Sequence, residues 1–146
     1  MKRIALLLVL AAACKTVAVR DETLSGAATP RAAVDRFLAA AKAQDMQALG
    51  AEFGGVAGPA RDHEERTVSE RRFIIMLQCL RHDKAVIAEP TRGEGGRQLF
   101  SIEFTQGSQK ATVLFTTVKG PSDRWYVEVF EITTLQNKGF CGKSGG

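Results

Sequence analysis

The sequence predicts an α+β domain, with helices first and an antiparallel sheet after them. Three observations carry this. Between residues 29 and 80 the apolar side chains recur mainly at a helical period. After residue 84 they alternate with a period of two. The first three alternating runs end at Gly, Pro, Ser or Asp, the residues that make tight turns.

The first helix is expected to open at Thr29-Pro30. A hydroxyl there caps the free N–H groups of the first turn, and Pro at the first helical position gives up no bond. Val34, Phe37, Leu38 and Ala41 then form one apolar stripe. Asp45 caps a second, shorter segment carrying Met46, Leu49 and Phe53. The stretch from Gly54 to Arg66 is expected to be a loop or mobile arm, because Gly54-Gly55 and Gly58-Pro59 break both periods. Thr67-Val68-Ser69-Glu70 fits a capping box, with Thr67 as the cap of a third helix. Phe73 to Leu80 is apolar almost all round, which predicts a largely buried helix. Arg81 and His82 suit its C-terminus.

The sheet is expected as a four-stranded meander. Its strands run from Lys84 to Glu89, from Gln98 to Thr105, from Lys110 to Lys119 and from Arg124 to Thr133. Phe100, Ile102 and Phe104 point one way in the second, with Ser101 and Glu103 opposite. Ala111, Val113 and Phe115 share a face of the third. In the last, Trp125, Val127 and Val129 alternate with Tyr126, Glu128 and Phe130.

Ahead of the domain the chain reads as an export signal. Met1-Lys2-Arg3 supplies charge, Ile4 to Leu10 an apolar run, and Ala11 to Ala13 small residues before Cys14. The run is about half the ~20 residues a spanning helix needs. Without Lys2 and Arg3 the formal charge falls from +4 to +2. The remaining arginines are interleaved with acids such as Asp62, Glu64, Glu65 and Glu70, so there is no basic face for a nucleic acid.

Leu10-Ala11-Ala12-Ala13-Cys14 resembles the lipobox of bacterial lipoproteins, with Ala11 where that family prefers Leu. The resemblance implies cleavage before Cys14 and lipid on its thiol. It divides the chain into a signal peptide (1–13), a flexible tether (14–28), a domain (29–135) and a C-terminal tail (136–146). It also implies a place in the cell envelope. Lys15 rather than Asp after the cysteine favours the periplasmic side of the outer membrane over the inner membrane in a didermal cell.

The stretch from Thr29-Pro30-Arg31 through Phe37-Leu38 to Asp45, with the closing Arg124-Trp125-Tyr126-Val127, is similar to the NTF2-like superfamily of nuclear transport factor 2 and ketosteroid isomerase. That resemblance implies a cone: helices packed on a curved meander, with an apolar cavity between them. Phe37, Phe53, Phe73, Phe104, Phe115, Trp125 and Tyr126 are the candidates to line such a pocket, or to fill the core instead. The fold is silent on activity, since it hosts enzymes, carriers and adaptors alike.

Catalytic signals are sparse. An isomerase- or dehydratase-like enzyme of this fold needs an acid and a base facing one cavity. Tyr126, Glu103, Glu128 and Glu131 are the strand residues available, and no motif sets them against a substrate. Asp62-His63-Glu64 has no second ligand cluster, so no metal is expected. Gly93 to Gly96 lacks the strand-to-helix setting of a phosphate loop, and no cofactor is expected. Cys79 and Cys141 remain, an even pair in an oxidising compartment. They are either a disulfide closing a loop of about 60 residues, worth ~4 kcal/mol, or two separate thiols. The expected role is a non-catalytic binding or assembly module at a membrane. Its occupant is an apolar small molecule, an envelope protein or a second copy docking on Leu114, Val118 and Phe130 of the sheet.

Overall fold

The structure is a computed structural model, and it describes residues 24–142. Helix α1 (Pro30–Ala43) begins as the sequence dictates: the Thr29 hydroxyl accepts from the Ala32 N–H at 3.1 Å. It stops at Gln44, whose left-handed backbone turns the chain (φ +56°). The Asp45 carboxylate then caps α2 (Met46–Glu52), accepting from the Ala48 N–H at 3.0 Å. Both helices bury one stripe, and Phe37 and Leu49 are fully enclosed.

The stretch expected to be a mobile arm is instead compact. Strands β1 (Gly54–Gly55) and β2 (Gly58–Pro59) form a small hairpin, followed by a 3-10 turn over Ala60–Asp62. The Ala60 N–H donates to the Phe53 carbonyl at 3.0 Å, and His63 Nε2 lies 2.7 Å from the Ala57 carbonyl. Gly54 is required here, because a Cβ would collide with the Gly58 carbonyl.

Helix α3 (Arg66–Cys79) departs from expectation twice. Its cap is Glu65, not Thr67. The Thr67 hydroxyl donates to the Glu65 carboxylate, and Glu70 pairs with Arg66 at 2.7 Å, so the expected reciprocal box never forms. Nor is the helix buried all round. Phe73, Met76, Leu77 and Cys79 face the core, but Ile74 and Ile75 are 52% and 41% exposed. One sheet and its neighbouring helices cover only one side of it.

Five strands form the main sheet: β3 (Lys84–Ile87), β4 (Thr91–Arg92), β5 (Gln98–Gln106), β6 (Gln109–Lys119) and β7 (Trp125–Phe130). All pairs are antiparallel, in the order β3-β5-β6-β7. The expected first strand is β3, which ends at Ile87; β4, beyond Pro90, was not expected and follows β3 along β5. Pro90 in the gap has no N–H to give to a ladder. The sheet is not strongly curled and shows no cone; the architecture is helices α1–α3 packed on an antiparallel sheet.

Alternation holds along β5 and the first half of β6: Phe100, Ile102, Phe104, Ala111, Val113 and Phe115 are buried. It fails in β7, where Thr116 pairs with Val129 but Thr117 pairs with Val127. Glu128 is the extra residue of a bulge, which shifts the faces. Val127 and Phe130 therefore both reach the core, while Val129 is 54% exposed. Val118 and Phe130, expected on an exposed docking face, are buried; Leu114 alone of the three is exposed.

Both ends of the described chain are fastened to this body. Ala27, within the stretch assigned to the tether, exchanges two backbone bonds with Trp125 (2.9 and 2.8 Å). At the other end, helix α4 (Ile132–Asn137) buries Leu135, and Phe140 follows it into the core. Cys79 and Cys141 form a disulfide, with sulfurs 2.13 Å apart.

Candidate binding groove

Helix α3 and the bulged strand β7 run beside each other with a gap between them. The gap is a groove of about 350 Å³ lined by Phe53, Arg72, Ile75, Met76, Glu128, Val129, Phe130 and Ile132. Its volume is within the range that takes a small ligand. Phe53, Met76 and Phe130 form the floor and are continuous with the core. Ile75 and Val129 rise from either side with large exposed surfaces. The bulge builds this site: it turns Val129 outward while Phe130 dips in to stack on Phe115 (4.8 Å between ring centres).

The two charged side chains at the groove are already neutralised. Arg72 is held by Glu64 at 2.7 Å, and its guanidinium lies 5.9 Å from the centre of the Phe53 ring. Glu128 receives two parallel bonds from Arg97, at 2.5 and 2.7 Å. That fork raises the Arg97 pKa through the hydrogen bond to Glu128 and then its charge. What the groove offers is apolar contact with a satisfied polar rim.

The seven aromatic candidates do not share one cavity. Phe37, Phe104 and Phe115 are fully buried in a ring cluster: Phe37 lies 6.1 Å from Phe115 and 5.9 Å from Phe130, and Phe104 lies 6.0 Å from Phe115. Phe53 reaches the groove. Phe73 packs edge-on against it at 6.2 Å and also borders a separate recess of about 230 Å³ with Arg61 and Ser69. Trp125 is half-buried under Lys119, 5.5 Å away. Tyr126 is buried, and its hydroxyl donates to the Ser25 carbonyl at 3.4 Å. Among the lining residues, Ile75, Val129 and Ile132 were not among the sequence candidates, and Phe130 was expected on a docking face rather than in a pocket. The exposed pair Ile74-Ile75 was the only local signal.

None of the strand carboxylates Glu103, Glu128 and Glu131 lines the recess that Tyr126 borders. That recess, of about 420 Å³, is shared with Gly58, Asp62 and His63. Glu52, the buried carboxylate, borders a different one with Arg36, which it pairs with at 2.8 Å. Burial pushes the Tyr126 phenol above its ordinary value; Arg124 opposes this, and Glu52 and Asp62 add to it. Glu103 faces solvent beside Lys110, and Glu131 is exposed after β7. His82 places Nδ1 2.7 Å from the Leu80 carbonyl and packs on Phe104. Among the described residues no group of His, Cys, Asp and Glu comes together to hold a metal, and no helix is long and apolar enough to cross a membrane. Cys14 lies outside the described residues.

Comparison with protein-family models, with curated proteins and with solved structures finds no match.

Proposed function

We propose that this chain is a lipid-anchored envelope protein whose domain binds an apolar ligand in the groove between α3 and β7. One observation carries the binding half: an apolar groove whose charged lining residues, Arg72 and Glu128, are paired with Glu64 and Arg97. Such a site gains free energy from removing ligand surface from water, about 25 cal/mol per Å². The helices-then-meander order supports an NTF2-like ancestry, in a form with a flatter sheet. The anchor half rests on the lipobox-like residues before Cys14. The ligand class is a small apolar molecule, such as one shed from or carried between membranes.

Mass spectrometry of the protein extracted from the envelope tests both halves at once. The expected result is a chain starting at Cys14 with a diacylglycerol adduct and a bound apolar molecule under native conditions. An unmodified Cys14 removes the anchor. A protein that emerges empty, and stays empty when offered apolar probes, removes the ligand.

A further inference from the structure

Residues 131–142 are held unlike any other part of the domain. Among the described residues, their one backbone bond to the sheet is from the Glu131 N–H to the Leu114 carbonyl, at 3.3 Å. Their other backbone bonds are internal to the segment, such as Phe140 N–H to Leu135 carbonyl at 3.0 Å. What ties them down is two buried side chains, Leu135 and Phe140, and the disulfide. The two sulfurs differ in access. Cys79 is sealed at the end of α3, whereas Cys141 is half-buried and opens on a recess of about 240 Å³ lined by Gln78, Arg81 and Gln106. The same segment begins with Ile132, a wall of the groove. One covalent bond therefore closes the end of the core and steadies a side of the binding site.

We propose that Cys79–Cys141 is a thiol-exchange site that regulates the groove: opening it with a dithiol partner releases residues 131–142 and removes the Ile132 wall. This rests on the groove being the ligand site. In the first step one thiolate of the partner attacks Cys141 Sγ, the accessible sulfur. A mixed disulfide forms, the bond to Cys79 breaks, and the Cys79 thiolate leaves with the electron pair and takes a proton. The partner's second thiolate then attacks the partner sulfur of the mixed disulfide, and the Cys141 thiolate leaves with its electron pair and takes a second proton. The partner ends as a disulfide, and the protein has gained two electrons and two protons. Arg81 at the recess favours the anionic attacker and the departing Cys141 thiolate.

The test compares hydrogen exchange and binding of phenylnaphthylamine, an uncharged fluorescent probe, before and after treatment with a dithiol. The protein is the full chain with Cys14→Ser, so that only the two domain cysteines react. The expected result is at least a tenfold rise in exchange over residues 131–142, with α1, β5 and β6 still protected, and at least a tenfold loss of probe affinity. A Cys79→Ser/Cys141→Ser variant reproduces this without the dithiol. Continued protection of the segment, exchange through the whole domain, or unchanged affinity after reduction would each overturn the proposal. A probe that never binds the oxidised protein rejects the groove itself, while the exchange data still show whether the segment is released.

Discussion

The two chain ends are fastened to opposite ends of β7 by different chemistry. Residues 24–27 are held by directional polar bonds. Arg36 donates to the Leu24 and Gly26 carbonyls at 3.2 and 3.1 Å, Arg124 donates to the Ser25 and Gly26 carbonyls, and the Arg61 guanidinium reaches the Ser25 hydroxyl at 3.2 Å. Residues 131–142 are held by buried apolar side chains and a sulfur–sulfur bond. A polar clamp fixes residues 24–27 in one geometry, which suits the end that precedes the body if Cys14 carries the proposed anchor. A covalent clasp over apolar packing leaves few directional bonds to remake, which suits an end that opens.

The sharpest way to break this contrast is to remove each fastening. Cys79→Ser/Cys141→Ser should cost about 4 kcal/mol, since the bond closes a loop of 62 residues. Urea denaturation measures it; a loss below about 1 kcal/mol would mean that Leu135 and Phe140 hold the segment unaided. Arg124→Ala should cost about 2 kcal/mol, because bonds from a charged donor are worth roughly 1.5–3 each at best and the freed carbonyls regain water. Proteolysis should then open the chain near residue 24 and leave 131–142 intact. Thr29→Ala should cost about 1 kcal/mol through the lost cap of α1, and a neutral result would show the clamp fixing that helix instead.

The smallest effect is one of pH. The folded Tyr126 phenol titrates above its ordinary value, chiefly through burial. The unfolded chain therefore gives up this proton first. Stability is unaffected well below about pH 10 and falls as pH rises through the window between the unfolded and folded values. Tyr126→Phe should flatten that alkaline fall in a denaturation series. An unchanged slope would assign the fall to other groups.

Much of the fold was legible because its causes are local. Thr29, Pro30 and Asp45 act within three residues of themselves, and the period of Phe100 to Phe104 needs only a strand and a core. The cap of α3 was misread because Glu65 competes for the Thr67 hydroxyl, which composition alone does not rank. The bulge at Glu128 was hidden for another reason: it is a property of the register against Thr116 and Thr117 of β6, which the residues of β7 alone do not encode. The groove inherits that difficulty. Its floor residues look like core in the sequence, and Val129 looks like any alternating strand residue until the bulge turns it outward. The arginine clamp spans about a hundred residues and carries no local pattern at all.

If the domain binds its ligand at the α3–β7 groove, Val129→Glu should block it. Val129 is exposed, so the substitution leaves the core and the fold intact. It sets a carboxylate into the apolar wall. Titration of phenylnaphthylamine into the oxidised protein should show one saturable site, weakened at least tenfold by Val129→Glu and unaffected by Leu114→Glu on the exposed sheet face. Equal binding by both variants and the parent would rule out the groove as the binding site.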